Sequence, residues 1–218
     1  MRTFLIASLL LTFLLGSCVS SDSAPDEPES SITFSHLFDE RGIERWELME
    51  SEEANFALEN EVLRVTGNRG WLRSPRRYVD FVLRLDFRFM EPGSDSGIFV
   101  RAGLDTPFIF GWPGDSNQIQ VRDISENTSD NPLPLANIYR HGEPEGETLY
   151  NRERAFELYT GLGEWQHYEI TVLGSLITVR LNGEIVTTAR DIDNLAGYIG
   201  FQSERGIVEY RNIEIYEL

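Results

Sequence analysis

The sequence predicts an all-β chain: a two-sheet antiparallel sandwich, or jelly roll, with its core between the sheets. Three observations carry that expectation. Phe81, Leu83, Leu85, Phe87 and Phe89 alternate with Val82, Arg84, Asp86 and Arg88, which commits one face of a long strand to a core. Asn182-Gly183 stands between two apolar runs at 176–181 and 185–187, a strong signal for a type I′ hairpin. From Ile32 onward no stretch sustains the 3.6-residue repeat of an amphipathic helix, and no internal repeat is visible.

Taken in order, Phe34 and Phe38 anchor an opening segment, and Trp46 follows an Arg41-Gly42 turn. Phe56, Leu58, Val62, Leu63 and Val65 read as a hairpin around a Glu59-Asn60 turn. Pro92-Gly93 turns the strand at 81–89, and 97–101 returns with Ile98 and Val100 inward, so that Phe99 and Arg101 take the other side. Residues 103–117 contain Pro107, Phe108, Phe110, Trp112 and Pro113, an aromatic loop that either stacks on a ligand ring or folds back as a small core. A strand at 118–123 precedes a polar excursion at 124–135, a short strand at 136–139 and a charged loop at 142–154. Tyr168, Ile170 and Val172 face inward on the next strand, 176–181 pairs with it across Gly174-Ser175, and two strands at 197–202 and 207–216 close the chain.

Composition limits the function. Arg2 precedes an apolar run, residues 4–15, too short to span a bilayer. The run ends in Leu15-Gly16-Ser17-Cys18, which resembles the bacterial lipoprotein box, with cleavage before Cys18 and lipid attached to it. Cys18 is the single cysteine, so no disulfide can form within the chain. Residues 19–31, rich in Ser, Pro, Asp and Glu, read as a flexible tether. The expected organisation is therefore a signal peptide at 1–17, a lipidated Cys18 and acidic tether at 18–31, and one β-sandwich domain at 32–218. Val19 rather than Asp after Cys18 leans toward the outer membrane. Without Arg2 the chain carries 18 Arg against 36 Asp plus Glu, a formal charge of 18 − 36 = −18. That field opposes nucleic acid and anionic lipid and favours a neutral partner. All 19 basic residues are arginine, so Schiff-base chemistry and a lysine base are excluded.

The stretch that bears most on function is Gln118-Ile119-Gln120-Val121-Arg122-Asp123. As a strand it sends Ile119 and Val121 to the core and Gln118, Gln120 and Arg122 to the opposite face. A solvated sheet face would use that pattern, and so would a sugar-binding groove. No His/Cys cluster has metal-ligand spacing, and the acidic loop with Asp123, Glu126 and Asp130 lacks a calcium-loop glycine, so neither a metal nor a cofactor is expected.

Several segments in order then resemble one family. They are Trp71 to Ser74, Asp80-Phe81, Ser96-Gly97-Ile98-Phe99-Val100-Arg101, Gln118 to Asp123, Ile138-Tyr139, Trp165 to Ile170, Leu181-Asn182-Gly183, Gly200-Phe201-Gln202 and Tyr210-Arg211-Asn212-Ile213. The chain resembles the bacterial 3-keto-disaccharide hydrolases, which have a concanavalin A-like jelly-roll fold. The resemblance implies cleavage of a 3-oxo-glycoside by removal of the C2 proton, elimination of the glycosidic oxygen from C1 and addition of water. It needs a base near C2, a stabiliser for the C3 oxyanion and an acid at the leaving group. On this reading Asp123, His141 and Tyr139 are the expected catalytic residues, with Glu204 a further proton-transfer candidate. Arg101, Gln118, Gln120, Trp112, Gln202 and Glu204 are the expected carbohydrate-binding residues. Two positions depart from the family: Gln118 stands where Glu is usual, and Gln166 where Asn is. Gln118-x-Gln120-x-x-Asp123 also has the spacing of the Glu-x-Asp-x-x-Glu strand of retaining glucanases with two charges neutralised, so this strand alone cannot perform a double displacement. The alternative is a carbohydrate-binding lipoprotein without catalysis on the same fold.

Overall fold

Each alternating run becomes a strand whose apolar side meets a second sheet. The computed structural model describes residues 32–50, 55–104, 111–126, 134–142, 146–192 and 196–218. The expected leader, Cys18 and tether lie outside the described residues. Among the described residues no helix is long and apolar enough to cross a membrane.

The strands in chain order are β1 (Ser35–His36), β2 (Glu47–Met49), β3 (Phe56–Glu59), β4 (Val62–Thr66), β5 (Gly70–Tyr78), β6 (Phe81–Phe89), β7 (Asp95–Ala102) and β8 (Ser116–Arg122). They continue as β9 (Ile138–His141), β10 (Thr148–Tyr150), β11 (Gln166–Leu173), β12 (Leu176–Leu181), β13 (Glu184–Ala189), β14 (Gly197–Arg205) and β15 (Ile207–Glu217). The larger sheet runs β10-β13-β12-β11-β6-β15-β4-β3, with β1 also on β15; the smaller runs β2-β5-β14-β7-β8-β9. The two-sheet all-β sandwich expected from the sequence is the fold.

The core lies between the sheets. Phe81, Leu83, Leu85, Phe87 and Phe89 of β6 and Tyr168, Ile170 and Val172 of β11 are fully buried against Ile98, Val100, Ile119, Ile199 and Phe201 of the smaller sheet. Period two alone would have placed them there. The Asn182-Gly183 turn forms with both residues at positive φ, 48° and 92°, as a type I′ turn requires.

Two expectations shift, and one left open is decided. The β3–β4 turn is Asn60-Glu61, both at positive φ, one residue later than Glu59-Asn60, because Glu59 pairs with Val62 and stays in the ladder. The charged loop at 142–154 contains β10, and a short α-helix, α1 (Arg152–Leu158), begins in it. Asn151 caps that helix by accepting a hydrogen bond from the Arg154 backbone N–H at 3.0 Å. A second apolar cluster of Trp71, Phe99 and Ala102, with Met49, Leu104, Trp112 and Tyr198 packed on it, covers part of the smaller sheet's outer face.

Candidate functional site

The site is built on the smaller sheet's outer face. Strand β8 turns Ile119 and Val121 into the main core and Gln118, Gln120 and Arg122 outward, as its alternation requires. Neither glutamine is solvated, however: Gln118 is 4% exposed, Gln120 5% and Gln202 of β14 1%. The register brings them together, since Gly97 of β7 pairs with Gln120 on one side and Gln202 on the other. A Cβ at Gly97 would stand 2.6 Å from Gln118 Nε2 and 2.8 Å from Gln202 Oε1. The missing side chain is the space in which the three amides meet.

The amides form a directed network. Gln118 Nε2 donates to Gln120 Oε1 and to Gln202 Oε1, both at 2.9 Å. Gln120 Nε2 donates to Asp95 Oδ1 at 2.6 Å, and Gln202 Nε2 to Glu204 Oε2 at 3.1 Å. His141 Nε2 lies 2.8 Å from Gln118 Oε1. Arg122 donates to Asp95 Oδ2 at 2.6 Å. Ser96 Oγ holds the strand carrying Gln202 by donating to its carbonyl at 2.6 Å, from within the sandwich. Buried polar groups are tolerated only when satisfied, and these satisfy one another.

Burial governs the electrostatics. Asp95 is 2% exposed, and its pKa is pushed up to about 7, first by burial and then by the nearby Glu204 charge, against the pull of Arg122 and Arg205. Burial also raises the Glu204 carboxyl, although Arg122 and Arg205 draw it down. Burial lowers the His141 imidazole, keeping it neutral near pH 7. Tyr139, opposite Gln118 on β9, is 41% exposed and has its hydroxyl raised by burial. It stands at the rim with its proton retained. One face therefore holds a neutral imidazole, two carboxyls poised toward the acid form, a phenol and an arginine.

Six of the expected residues meet here: Gln118, Gln120, Gln202, Glu204, His141 and Tyr139. Three do not. Arg101 sits at φ 50° where β7 bulges, its backbone pressed so close to Gly197 that a Cβ there would lie 2.2 Å from Arg101 Cα. The bulge rotates its guanidinium away to donate to Gly174 O at 2.6 Å, Val79 O at 3.2 Å and Asp80 Oδ1 at 3.0 Å, pinning the β5–β6 and β11–β12 turns. Asp123 accepts from Gly93 N at 2.8 Å, Ser125 N at 3.0 Å and Tyr159 Oη at 2.6 Å. Burial would raise its pKa, but these bonds and the Ser125 hydroxyl hold it below the usual value. It is an anchor for turns, not a proton carrier. Trp112 packs on the Trp71–Phe99 cluster, the core alternative for the aromatic loop. Phe108 and Phe110 lie outside the described residues, as does Asp130. Gln166, where the family has Asn, is 1% exposed and accepts from Thr160 N at 3.1 Å and Asn182 Nδ2 at 3.0 Å, a structural brace.

Sequence reasoning passed over Asp95. The returning strand was expected to start at Gly97, but it starts at Asp95. Extending the alternation back by two residues from Gly97 would have placed this carboxyl beside Arg122 on the glutamine face. Among the described residues no group of three or more His, Cys, Asp or Glu is placed to hold a metal ion.

Residues 33–216 match the family described as 3-keto-alpha-glucoside-1,2-lyase-like domain. The chain belongs to that family. Its fold is shared with a protein provisionally described as a glycosyl hydrolase from Parabacteroides distasonis, at 21% identity and TM-score 0.61, covering 85% of this chain and 100% of the other. It is shared also with the carbohydrate-binding module CBM66 from Bacillus subtilis, at 12% identity and TM-score 0.55, covering 79% and 95%. The exoplasmic/lumenal domain of VIP36, in its Ca²⁺/Man3GlcNAc-bound form, matches at 12% identity and TM-score 0.54, covering 84% and 87%. No curated protein matches the sequence. Membership of the 3-keto-alpha-glucoside-1,2-lyase-like family makes carbohydrate processing the class of function.

Proposed function

We infer that the protein cleaves 3-oxo-glycosides at the envelope of a bacterium, tethered through a lipid on Cys18 and sorted to the outer membrane by Val19. The observation that carries the catalytic part is that His141, Glu204 and Asp95 share one face with Gln118, Gln120 and Gln202. A binding groove needs the amides; it has no use for an imidazole kept neutral by burial beside two carboxyls whose pKa values are raised. In the reaction the C3 ketone acidifies the C2 proton. His141 takes that proton, the C2–H electrons form an enolate, and Arg122 with the second N–H of Gln120 and of Gln202 stabilises the charge on the C3 oxygen. The enolate then expels the C1 oxygen, which receives a proton from Glu204 or, at the rim, Tyr139. Water then adds to the resulting enone at C1, giving a proton back to Glu204 or Tyr139, while the protonated His141 returns a proton to C2, which completes a net hydrolysis.

A second reading is a carbohydrate-binding lipoprotein without turnover. It is favoured by the amide at position 118 and by the depth of the three glutamines, each no more than 5% exposed. Incubating the purified protein with 3-keto-trehalose or a 3-keto-aryl glucoside in D₂O separates the two. Cleavage with deuterium entering C2 is expected, and binding without either would leave only the second reading. His141→Gln should lower turnover by about 10²-fold or more, the usual contribution of a positioned base. The acid limb of the pH–rate profile should lie below pH 6.5, the ordinary histidine value from which burial lowers His141.

A further inference from the structure

The hydrogen bonds on the smaller sheet's outer face have a sense of direction, which can be followed from its two ends. A carboxylate can only accept, so Asp95 Oδ1 requires the NH₂ group of Gln120, and Glu204 Oε2 requires that of Gln202. With their nitrogens committed, Gln120 and Gln202 both turn oxygen toward Gln118. Gln118 must answer two acceptors with its own NH₂, and this leaves its oxygen facing His141 Nε2 at 2.8 Å. An oxygen facing a ring nitrogen demands a proton on that nitrogen. The other ring nitrogen, Nδ1, makes no hydrogen bond to any described residue, and a neutral ring carries its lone pair there.

We propose that Asp95 and Glu204, acting through Gln120 and Gln202 on Gln118, fix His141 in the tautomer protonated on Nε2 and so make Nδ1 the proton acceptor of the site. Toward His141, the three glutamines and the two carboxyls act as positioning residues, whatever other contact they make with the substrate; His141 alone touches the reacting C–H. The assignment of Nδ1 as the base rests on the 3-oxo-glycoside reading above, whereas the tautomer does not. Reversing any one amide sets oxygen against oxygen at its neighbour, so the direction changes only as a whole, and only if both carboxyl oxygens that end the chain carry protons.

The same logic explains the amide at position 118. With a carboxylate at position 95, Gln120 presents oxygen to position 118, and a carboxylate there would meet two amide oxygens. A carboxyl at position 95 and a donor at position 118 therefore belong together. Exchanging them, as Asp95→Asn with Gln118→Glu, would reverse the arm through Gln120, while the arm through Gln202, whose oxygen Glu204 still turns toward position 118, stays opposed. The amide introduced at position 95 would donate to Gln120, and Gln120 would donate to the carboxylate introduced at position 118.

Neutron diffraction from crystals of the protein grown at pH 8 in D₂O reads the direction without reference to activity. Deuterium on His141 Nε2, none on Nδ1, and both Gln118 amide deuterons toward Gln120 and Gln202 are expected. Deuterium on Nδ1, or the Gln118 nitrogen facing His141, would overturn the proposal. A mutant cycle gives a second reading. Gln118→Glu alone should lower both the unfolding midpoint and turnover, the latter about tenfold or more, and adding Asp95→Asn should restore part of each, since it relieves one of the two oxygen–oxygen contacts at position 118 and residues in one network couple non-additively. Additive losses would overturn the pairing. Correct deuterium positions in a protein that leaves 3-keto glycosides intact would sink the functional reading and leave the relay standing; turnover with deuterium on Nδ1 would do the reverse.

Discussion

The outer faces of the two sheets carry similar side chains to opposite effect. On the larger sheet, charged and polar groups face one another across the strands: Arg84 pairs with Glu169, Arg88 with Glu209, and His167 Nδ1 lies 2.9 Å from Asp86 Oδ1. The guanidiniums of Arg88 and Arg211 lie over the Trp165 ring, 4.5 and 4.0 Å from its centre. Most of these side chains keep contact with water; Arg84 is 41% and Glu169 24% exposed. On the smaller sheet Asp95 has Arg122 at 2.6 Å, yet burial outweighs the ion pair and raises the carboxyl's pKa. A polar face is a solvated surface where charge is compensated in contact with water. It is a buried network where the compensation comes also from amides that cannot ionise.

The largest expected effect that sharpens this contrast is a pH dependence confined to the smaller sheet. Asp95 titrates at about 7 in the fold against an ordinary 3.8. The folded protein therefore holds a proton that the unfolded chain releases, so the stability this group contributes is complete below about pH 4 and is lost as pH rises through 7. Asp95→Asn does not titrate. Relative to the variant, the wild type should thus lose up to about 4 kcal/mol between pH 4 and 8, the equivalent of the displaced pKa. Denaturant unfolding across that range measures it. A wild-type-minus-variant difference that stays flat with pH would mean that Arg122 fully compensates the carboxylate, and the two faces would then be alike.

How much of this could be read beforehand follows from where each constraint originates. The inward faces of β6, β8 and β11 were legible because burial on one side imposes period two along the chain, a local signal. The Asn182-Gly183 turn was legible for the same reason. Arg101 was not, because its bulge arises where β7 runs against Gly197, nearly a hundred residues later, and alternation assumes that no residue is inserted. The burial of Gln118 was hidden likewise, since the partner that excludes water from it, Gln202, comes from β14. The short helix α1 did leave a signal: Asn151 at the cap and the helix formers Arg152, Glu153, Arg154 and Ala155 after it. Its charges simply resembled those of a loop.

A smaller effect breaks the comparison sterically. Gly97→Ala introduces a methyl 2.6 Å from Gln118 Nε2 in a space the three glutamines fill. The amides must part, at a cost of about 1–3 kcal/mol for an overpacked interior. Turnover should fall with it, because Gln118 no longer holds His141. Calorimetry and kinetics on one preparation test both. A variant that keeps full stability and rate would show that the amides do not need the glycine's space.

The smallest effect belongs to the larger sheet. Arg84 and Glu169 oppose each other directly, and Arg84 Nε donates to Glu169 Oε2 at 2.8 Å, geometry as good as that of Arg122 and Asp95. Exposure makes the difference: water solvates either partner once the other is gone, and ordering two long side chains offsets part of the attraction. A double-mutant cycle with Arg84→Ala and Glu169→Ala should give a coupling of about 0.2–1 kcal/mol that shrinks as salt is added. Neither change should alter turnover, since both side chains point away from the sheet that carries His141. A coupling well above that range, or a loss of rate, would show that the larger sheet's charges are strained or functional too, and that hydrogen-bond geometry rather than access to water separates the faces.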